Sequence, residues 1–152
     1  MPTIAIRQAT LADAPAIATL FNAYRQFYEQ PADAALALSF ITQRLQRGES
    51  VILVAEDAQH QLHGFCQLYP TFCSVAAAPI YALYDLYVSP NARQSSLGRN
   101  LLEAAHSIAK AHGMVRMDLT TAKTNLKAQS LYESLGWVRD EVFYAYSLRA
   151  VS

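Results

Sequence analysis

The chain is short of charged residues and has no excess of either sign. Charged residues make up only 16% of the 152 positions, and 12 Lys and Arg balance 12 Asp and Glu. A protein that binds nucleic acid usually carries a basic excess to neutralise phosphates, so this balance predicts no nucleic-acid partner. Hydrophobic residues make up 53%, which excludes a disordered chain and is enough to form a core.

Cysteines and long apolar runs are also scarce. The two cysteines, Cys66 and Cys73, stand seven positions apart in one predicted extended segment. They would lie ~23 Å apart, beyond the reach of a disulfide.

No apolar run approaches the ~20 residues of a membrane span, and no basic flank with an apolar run marks a signal peptide. We therefore expect a reduced, cytoplasmic protein with no membrane partner, and a single domain over 1–152.

The spacing of apolar residues predicts an alternation of helices and strands. Thr10 and Asp13 form a capping-box pattern at the start of the first helix, and Gly48, Gly113 and Gly136 mark helix ends. The predicted order is β-α-α-β-β-β-α-β-α-β-β. We expect an α+β fold with a central, mixed, mostly antiparallel twisted sheet of six to seven strands, flanked by about four helices. The predicted strands are 3–7, 51–55, 64–72, 80–88, 114–120 and one or two within 137–148.

One strand-loop-helix stretch, 84–102, is suited to bind an anion. An apolar strand runs into a loop of small and polar residues, and the loop opens a helix whose N-terminal N–H groups and dipole attract phosphate. Ser95, Ser96 and Gly98 let a phosphate approach the backbone closely, and Arg93 adds positive charge. An ordinary capped surface helix is the alternative interpretation of such a loop.

The same stretch resembles the acetyl-coenzyme A motif of the GCN5-related N-acetyltransferase (GNAT) family, R/Q-x-x-G-x-G/A after a strand. Arg93 and Gly98 match the first and last positions, and Ser96 stands where the family has its first glycine. The resemblance implies a GNAT fold, acetyl-CoA as cosubstrate, and a backbone N–H in the strand that stabilises the thioester oxygen. The cofactor-binding residues that it implies here are Leu86, Tyr87, Val88, Arg93, Gln94, Ser95, Ser96, Leu97, Gly98 and Arg99.

A second segment, 125–137, is similar to the same family's pattern N-x-x-A-x-x-L-Y-x-x-x-G-F/W. By that resemblance, the Asn125 side chain contacts the pantetheine arm and Ala128 belongs to the cofactor site. Tyr132 would protonate the departing thiolate of coenzyme A, with core filling as its alternative role. Because the family transfers acetyl directly to an amine, without an acyl-enzyme, the resemblance predicts an N-acetyltransferase.

Several residues are candidates for taking the proton that the amine must lose. Asp85 is a carboxylate within an apolar strand, where it needs a partner or a function. Its neighbour Tyr84 is the second candidate, as a base or as a substrate clamp. Glu29, Glu56, Glu141 or a chain of waters are the alternatives. A salt bridge or a structural hydrogen bond is the other role open to Asp85.

Aromatic side chains and a carboxylate suit a small cationic substrate. The segments 83–88 and 68–71 are also similar to the histone and polyamine (diamine) acetyltransferase branch, which favours a polyamine, diamine or amino-acid-like primary amine. A protein lysine or N-terminal acetyltransferase, a non-catalytic acyl-CoA sensor and a plain interaction module are the alternatives. The predicted substrate-binding residues are Tyr24, Tyr28, Glu29, Tyr69, Phe72 and Tyr84.

We predict no metal site, because His60 and His63 stand in a polar turn without further ligands of suitable geometry.

The aromatic run 142–146 predicts an edge strand, and strand edges of this kind are usually covered. We therefore expect a homodimer that forms through this strand or through the strand that begins at Ile80.

Overall fold

The computed structural model describes residues 3–93 and 95–151, which divide after Thr120 into two compact units. The first unit holds a sheet and three α-helices, and the second unit holds a further α-helix. The strands in the described residues are β1 (Ile4–Gln8), β2 (Val51–Asp57), β3 (Leu62–Cys73), β4 (Ala78–Val88) and β5 (Met117–Asp118). The α-helices are α1 (Ala14–Phe27), α2 (Ala34–Gln46), α3 (Leu97–Ala111) and α4 (Leu126–Ser134).

The sheet of the first unit has the strand order β1-β2-β3-β4-β5. Its first three pairings are antiparallel, and β5 pairs with β4 in parallel. Because side chains alternate between the two faces of a sheet, each face receives its own helices. α1 and α2 pack on the face that carries Ile52, Phe65 and Tyr87, whereas Leu101 of α3 lies against Gly64 on the opposite face.

A cluster of three charged residues connects β1, β2 and the start of α1. Asp13 precedes α1 directly, and its carboxylate accepts the N–H of Thr10 at 2.7 Å. Arg7 donates to both oxygens of Asp13 at 2.8 Å and to Glu56 at 2.7 Å. The capping relation expected between Thr10 and Asp13 is confirmed. Arg7, Asp13 and Glu56, the Arg7 cluster, also hold two strands and a helix together.

The end of α1 places a candidate site residue in an unusual conformation. The N–H of Gln30 donates to the carbonyl of Arg25 at 3.0 Å, and the N–H of Glu29 donates to that of Gln26 at 2.9 Å. This Schellman arrangement puts Glu29 in the left-handed region at φ 64°, a position that glycine usually takes. The helix therefore ends before Pro31 is reached.

The other helices end where local signals predict. Asp33 caps α2, since its carboxylate accepts the N–H of Leu36 at 3.0 Å. Gly48, Gly113 and Gly136 follow the last turns of α2, α3 and α4 with φ of 59°, 75° and 94°. Glycine adopts positive φ at little cost, so these three residues stop the helices at the predicted places.

The α+β class and the mixed, mostly antiparallel sheet are confirmed, but the described residues contain five strands rather than six to seven. The strand expected at 114–120 is reduced to the two residues of β5, and residues 137–151 contain no strand. Asp140 gives one reason, because its carboxylate accepts the N–H groups of Val142 and Phe143, which a strand would use for its ladder. The described part of the second unit also offers no other strand with which to pair.

Of the two strand edges on which the homodimer prediction depends, the described residues form one in part, the edge of β4 beyond Ala82. The run 142–146 lies in the segment without a strand. Ile80 lies inside the sheet, where it pairs with Thr71 of β3, and the adjacent Tyr81 pairs with Met117 of β5. Across the residues that the structure describes, no helix is both long enough and apolar enough to cross a membrane.

Candidate active site

A β-bulge interrupts β4 at Tyr84. Gln67 of β3 pairs with Asp85, but the next residue, Leu68, pairs with Leu83, so Tyr84 has no partner across the ladder. The extra residue turns its side chain outward. Tyr84 is 71% exposed, although the residues on either side of it are buried.

Asp85, directly after the bulge, is a buried carboxylate with uncharged partners. Only 7% of the residue is exposed, and its Oδ2 accepts a hydrogen bond from Gln67 Nε2 at 2.8 Å. Oε1 of Gln67 accepts from Ser50 Oγ at 2.7 Å, so both ends of the amide are engaged and its orientation is determined. The phenol of Tyr24 on α1 also acts on this carboxylate and lowers its pKa. We call Ser50, Gln67, Asp85 and Tyr24 the Asp85 network; among the ion pairs of the described residues, none contains Asp85.

The surroundings of Asp85 favour its neutral form. Burial raises the pKa of this carboxyl group, and the hydrogen bonds from Gln67 and Tyr24 oppose the rise without cancelling it. The pKa of the Tyr69 phenol on β3 is also raised, to about 12, by burial first and then by the charge of Asp85. A carboxyl group whose pKa is shifted upward is suited to accept a proton during a reaction.

Four of the predicted substrate-binding residues lie together. The ring centres of Tyr24 and Tyr28 are 5.2 Å apart, and those of Tyr69 and Tyr84 are 5.6 Å apart. The phenol of Tyr24 donates to the carbonyl oxygen of Tyr84 at 3.4 Å, which joins the two pairs. These four residues form the tyrosine cluster. Their ring faces, with the carboxylate of Asp85 beside them, suit a small organic cation.

The other two predicted substrate-binding residues stand apart from the tyrosine cluster. Glu29 directly follows Tyr28 along the chain, and it takes part in no ion pair of the described residues. Phe72 lies three positions beyond Tyr69 on β3, so its side chain is on the opposite face of the sheet, where it is 77% exposed. The structure therefore does not bring Phe72 into the cluster.

One edge of β4 is unpaired over its second half within the described residues. β5 pairs with β4 over two residues only, ending at Ala82. On the other edge, the N–H of Ser89 donates to β3 at 2.9 Å. By the alternation of an antiparallel ladder, Tyr87 also directs its N–H to β3, whereas Leu86 and Val88 direct theirs to the unpaired edge. Of the three predicted donors, these two have the orientation that an acyl oxygen at this edge requires.

The predicted phosphate loop is fastened to β4 and α1 by Arg93. Nε of Arg93 donates to the carbonyl oxygen of Val88 at 2.9 Å. Its guanidinium lies 5.4 Å from the ring centre of Tyr87 and 5.8 Å from that of Phe27. The neighbouring Gln94, also predicted to bind the cofactor, lies outside the described residues.

The loop then opens α3 at Ser96. This serine is the N-cap at φ −80°, so it does not adopt the left-handed conformation that would favour the family's glycine. Its side chain makes no capping hydrogen bond within the described residues, while Ser95 Oγ donates to a carbonyl oxygen of the preceding turn. Leu97 is 2% exposed and anchors the helix start, followed by the half-buried Gly98 and Arg99. The N-terminal N–H groups and dipole of α3 thus follow directly on β4.

The second unit carries the remaining predicted residues on α4. Asn125 is the N-cap, and its Oδ1 accepts the N–H of Ala128 at 3.2 Å. Tyr132 is half-buried, and its ring centre lies 6.1 Å from that of Trp137. Because seven residues make nearly two helical turns, Asn125 and Tyr132 lie along one side of the helix.

Other side chains considered as a proton acceptor or as metal ligands form ion pairs or hydrogen bonds with neighbouring residues. The Arg7 cluster holds Glu56, and the hydrogen bond from Arg7 lowers the pKa of this carboxyl group, which makes it a poor proton acceptor. Nδ1 of His60 lies 3.7 Å from Glu56, and Nε2 of His63 lies 2.8 Å from Asp57. Across residues 3–93 and 95–151, no group of three or more His, Cys, Asp and Glu side chains is placed to hold a metal ion.

Gln67 and Ser50 are site residues that the sequence patterns above do not single out. Gln67 is fully buried within an apolar strand, as Asp85 nearly is. A polar side chain in an otherwise apolar strand is the signal that points to both residues. The pairing of Gln67 with Asp85, 18 positions apart, is visible only in the register of β3 and β4.

The described residues thus form a sheet with a bulged strand, an unpaired edge and a loop leading into a helix N-terminus, and comparison with known proteins identifies the family. The model of the Acetyltransferase (GNAT) family matches residues 15–137. The chain belongs to the GNAT family and is an acetyltransferase.

Similar proteins agree with this assignment. The chain is 48% identical to the uncharacterized N-acetyltransferase YhfO of Bacillus subtilis (strain 168), over 94% of this chain and 95% of that protein. A crystal structure of a probable acetyltransferase shares 38% identity and a TM-score of 0.91, covering 97% of this chain and 99% of the other. An aminoglycoside N-acetyltransferase in complex with CoA shares the fold, with a TM-score of 0.80 at 20% identity over 99% of this chain and 97% of that one.

Proposed function

We propose that this acetyltransferase moves the acetyl group of acetyl-CoA directly to a primary amine of a small molecule, of the polyamine, diamine or amino-acid type. The observation that carries the proposal is the Asp85 network beside the tyrosine cluster. The network holds a carboxylate without a cationic partner, and the cluster offers aromatic faces to a cation. An amine is a cation until it loses its proton, so it would gain from both features.

Each chemical task has a proposed residue. The amine must lose a proton before its nitrogen attacks the thioester carbonyl carbon, and Asp85 is the proposed acceptor of that proton. Tyr84 would act as a clamp on the substrate. As the C–N bond forms, negative charge develops on the thioester oxygen, which the N–H groups of Leu86 and Val88 would stabilise. Tyr132 is the proposed donor of the proton that the sulfur takes up as the C–S bond breaks.

The residues present fit the acetyl-CoA that the family uses. The positive end of the α3 dipole and the small N-cap residue Ser96 suit a pyrophosphate, and Arg93 adds a cation next to them. We propose that Asn125 contacts the pantetheine arm. Its position along one side of α4 with Tyr132 supports a cofactor that runs along this helix face.

Calorimetric titration with acetyl-CoA tests the cofactor site. We expect a micromolar Kd that rises with dephospho-CoA, and Arg93→Met should weaken binding about tenfold, as expected for the loss of one charge-assisted contact. Arg47→Met, at the end of α2, is the matched control and should bind as the wild type does. Absence of binding would contradict the proposal and favour an interaction module.

A panel of amines with thiol-release detection tests the substrate class. We expect turnover with spermidine, putrescine or lysine, and none with a lysine-containing peptide. Turnover of the peptide alone would favour a protein acetyltransferase. Binding of acetyl-CoA without turnover of any amine would favour an acyl-CoA sensor.

Tyr132→Phe separates catalysis from cofactor binding. Removal of a general acid should lower kcat about 100-fold, whereas the Kd of acetyl-CoA should stay within a factor of about two. Single-turnover thiol release and calorimetry measure the two quantities. An unchanged kcat would assign Tyr132 to packing against Trp137.

The homodimer stays a prediction. Among the described residues, the unpaired edge of β4 beyond Ala82 is a strand edge that such a dimer could use, whereas residues 142–146 form no strand. Light scattering over a range of protein concentrations measures the mass, and a monomer mass at every concentration would contradict the dimer.

A further inference from the structure

Asp85 is too deeply buried to be the group that an amine contacts. Only 7% of the residue is exposed, and Gln67 occupies its Oδ2. Tyr24 is half-buried. Its phenol donates to the carbonyl oxygen of Tyr84, 3.4 Å away, and it also acts on the carboxylate of the adjacent Asp85, whose pKa it lowers. The phenol therefore stands between the buried carboxylate and the exposed residue of the bulge.

We propose that Tyr24 is a catalytic residue that passes the proton of the amine to Asp85, and that Gln67 is the positioning residue that holds the receiving carboxylate. The inference rests on the proposed function, because it requires an ammonium group in the tyrosine cluster. One N–H bond of the ammonium breaks, and its electron pair stays on nitrogen. The proton goes to the phenolic oxygen of Tyr24 while the phenolic proton goes to Asp85. Ammonium and carboxylate thus become amine and carboxylic acid, and Tyr24 is unchanged.

The position of Tyr24 suits this transfer. A phenol has one proton and two lone pairs, so it can donate and accept at once. Its proton has two acceptors in reach, the Asp85 carboxylate and the Tyr84 carbonyl, which the bulge removes from the ladder. The ring is held between Phe65 and Tyr87, each with its ring centre 6.0 Å away. A phenol held in this way needs little reorganisation before the transfer.

Gln67 orients the carboxylate without neutralising it. Because Ser50 donates to Oε1, the amide nitrogen of Gln67 must face Asp85. A cation in this position would hold the carboxylate in its charged form and weaken it as a proton acceptor. A neutral donor instead leaves the carboxylate able to take the proton.

Two titratable groups that interact with Asp85 stay neutral at working pH. Burial raises the pKa of Cys66 and of Tyr69 on β3 to about 12 in each case. Two further charged groups, Arg44 of α2 and Glu49, act on Tyr69, and they pair with each other at 3.0 Å. Burial also raises the pKa of Asp85, which increases the affinity of this carboxylate for a proton.

Three variants test the inference by steady-state kinetics with spermidine and acetyl-CoA across pH. Tyr24→Phe should lower kcat about 100-fold and leave KM for acetyl-CoA within a factor of about two. It should also abolish the fall in kcat at acidic pH that protonation of Asp85 causes. Gln67→Met should lower kcat less than about tenfold. It should also move the acidic fall in kcat to higher pH, because Asp85 loses a hydrogen-bond donor that lowers its pKa. Tyr81→Phe, which removes a phenol bonded to His112 at 2.6 Å, is the matched control and should match the wild type.

A second measurement keeps the test independent of turnover. Carbon-13 NMR of side-chain-labelled aspartate follows the titration of Asp85, identified as the signal missing from Asp85→Asn. We expect this titration at higher pH in Tyr24→Phe and Gln67→Met, and unchanged in Tyr81→Phe. If Gln67→Met does not fold, Ser50→Ala loosens the same amide and should shift the signal in the same direction.

The outcomes separate the two proposals. Wild-type turnover with full activity in Tyr24→Phe would overturn the relay and leave the proposed function standing. An Asp85 titration that is unmoved in both network variants would also overturn the relay, whatever the kinetics. Absence of turnover with every amine of the panel would overturn the proposed function, and the relay with it.

Discussion

Two aspartates of the first unit, Asp13 and Asp85, have opposite surroundings. Asp13 receives hydrogen bonds from Arg7 at 2.8 Å on both oxygens, which lower the pKa of its carboxyl group to about 2. Asp85 accepts a hydrogen bond from Gln67 and has Tyr24 as a further uncharged partner among the described residues, and burial raises its pKa. The first carboxylate stays charged and fastens strands to a helix. Burial without a cationic partner shifts the second toward its neutral form, so burial and partners together indicate the role of a carboxylate.

The comparison is tested most strongly by Asp85→Asn. Loss of the proton acceptor should lower kcat/KM by about 10²- to 10⁴-fold. The melting temperature should not fall, because a neutral amide replaces a charge that is costly to bury. Thiol release with spermidine and thermal unfolding measure the two effects. Asp13→Asn is the matched control and should retain wild-type turnover; equal losses in both variants would remove the distinction.

Asp13→Asn should affect stability instead. The asparagine can still accept the N–H of Thr10 but loses its charge toward Arg7, so we expect a loss of about 1 kcal/mol, or about 2–4 °C in Tm. The Asp13 pKa is lowered from 3.8 to about 2, so this stabilisation is present above pH 3.8 and is lost as the pH falls toward 2. Thermal melts of both proteins over that range should converge at the acidic end.

The sign of the pH effect should be reversed at Asp85. A carboxyl group whose pKa is raised on folding contributes most stability when it is protonated, and that contribution is lost as the pH rises above its unfolded value of 3.8. Asp85→Asn should therefore gain in Tm relative to the wild type as the pH rises toward neutral. A difference in Tm that does not change with pH would show that Asp85 does not have the raised pKa on which its proposed role depends.

Glu29→Gly gives the smallest expected effect. Glycine relieves the left-handed backbone at φ 64°, so the variant should gain about 0.5–1 kcal/mol in stability. If the Glu29 carboxylate attracts the substrate, KM for spermidine should rise at the same time. Ala77→Gly, at φ 52° in the turn between β3 and β4, is the matched control and should gain stability with no change in KM. An unchanged KM in both would exclude Glu29 from substrate binding.

The helices could be predicted from the sequence because their signals are local. Asp33 at the start of α2 and Gly113 after α3 act through hydrogen bonds and φ angles of their own neighbourhood. The C-terminal run 142–146 has equally clear strand composition, yet it forms no strand. A strand depends on a partner edge elsewhere in the chain, and Asp140 offers its N–H groups a local acceptor instead.

The candidate site likewise has residues that the sequence could indicate and residues that only the structure brings together. Arg93, Gly98 and the pattern from Asn125 are motif positions, and their resemblance to known motifs indicated the family that the comparisons establish. The bulge at Tyr84 could not be predicted, because one extra residue in β4 is defined only by its register against β3. The tyrosine cluster likewise depends on α1 reaching a strand 60 residues away.

The sequence by itself determined the fold class and most helix ends, because capping residues and apolar periodicity act over a few positions, and its motifs resembled those of the acetyltransferase family. Tertiary structure alone decided that Asp85 has Gln67 and Tyr24 as partners while Asp13 has Arg7. The physical reason is that a carboxylate's pKa depends on its burial and on the charge of its partners. Both are properties of strands and helices brought together by folding.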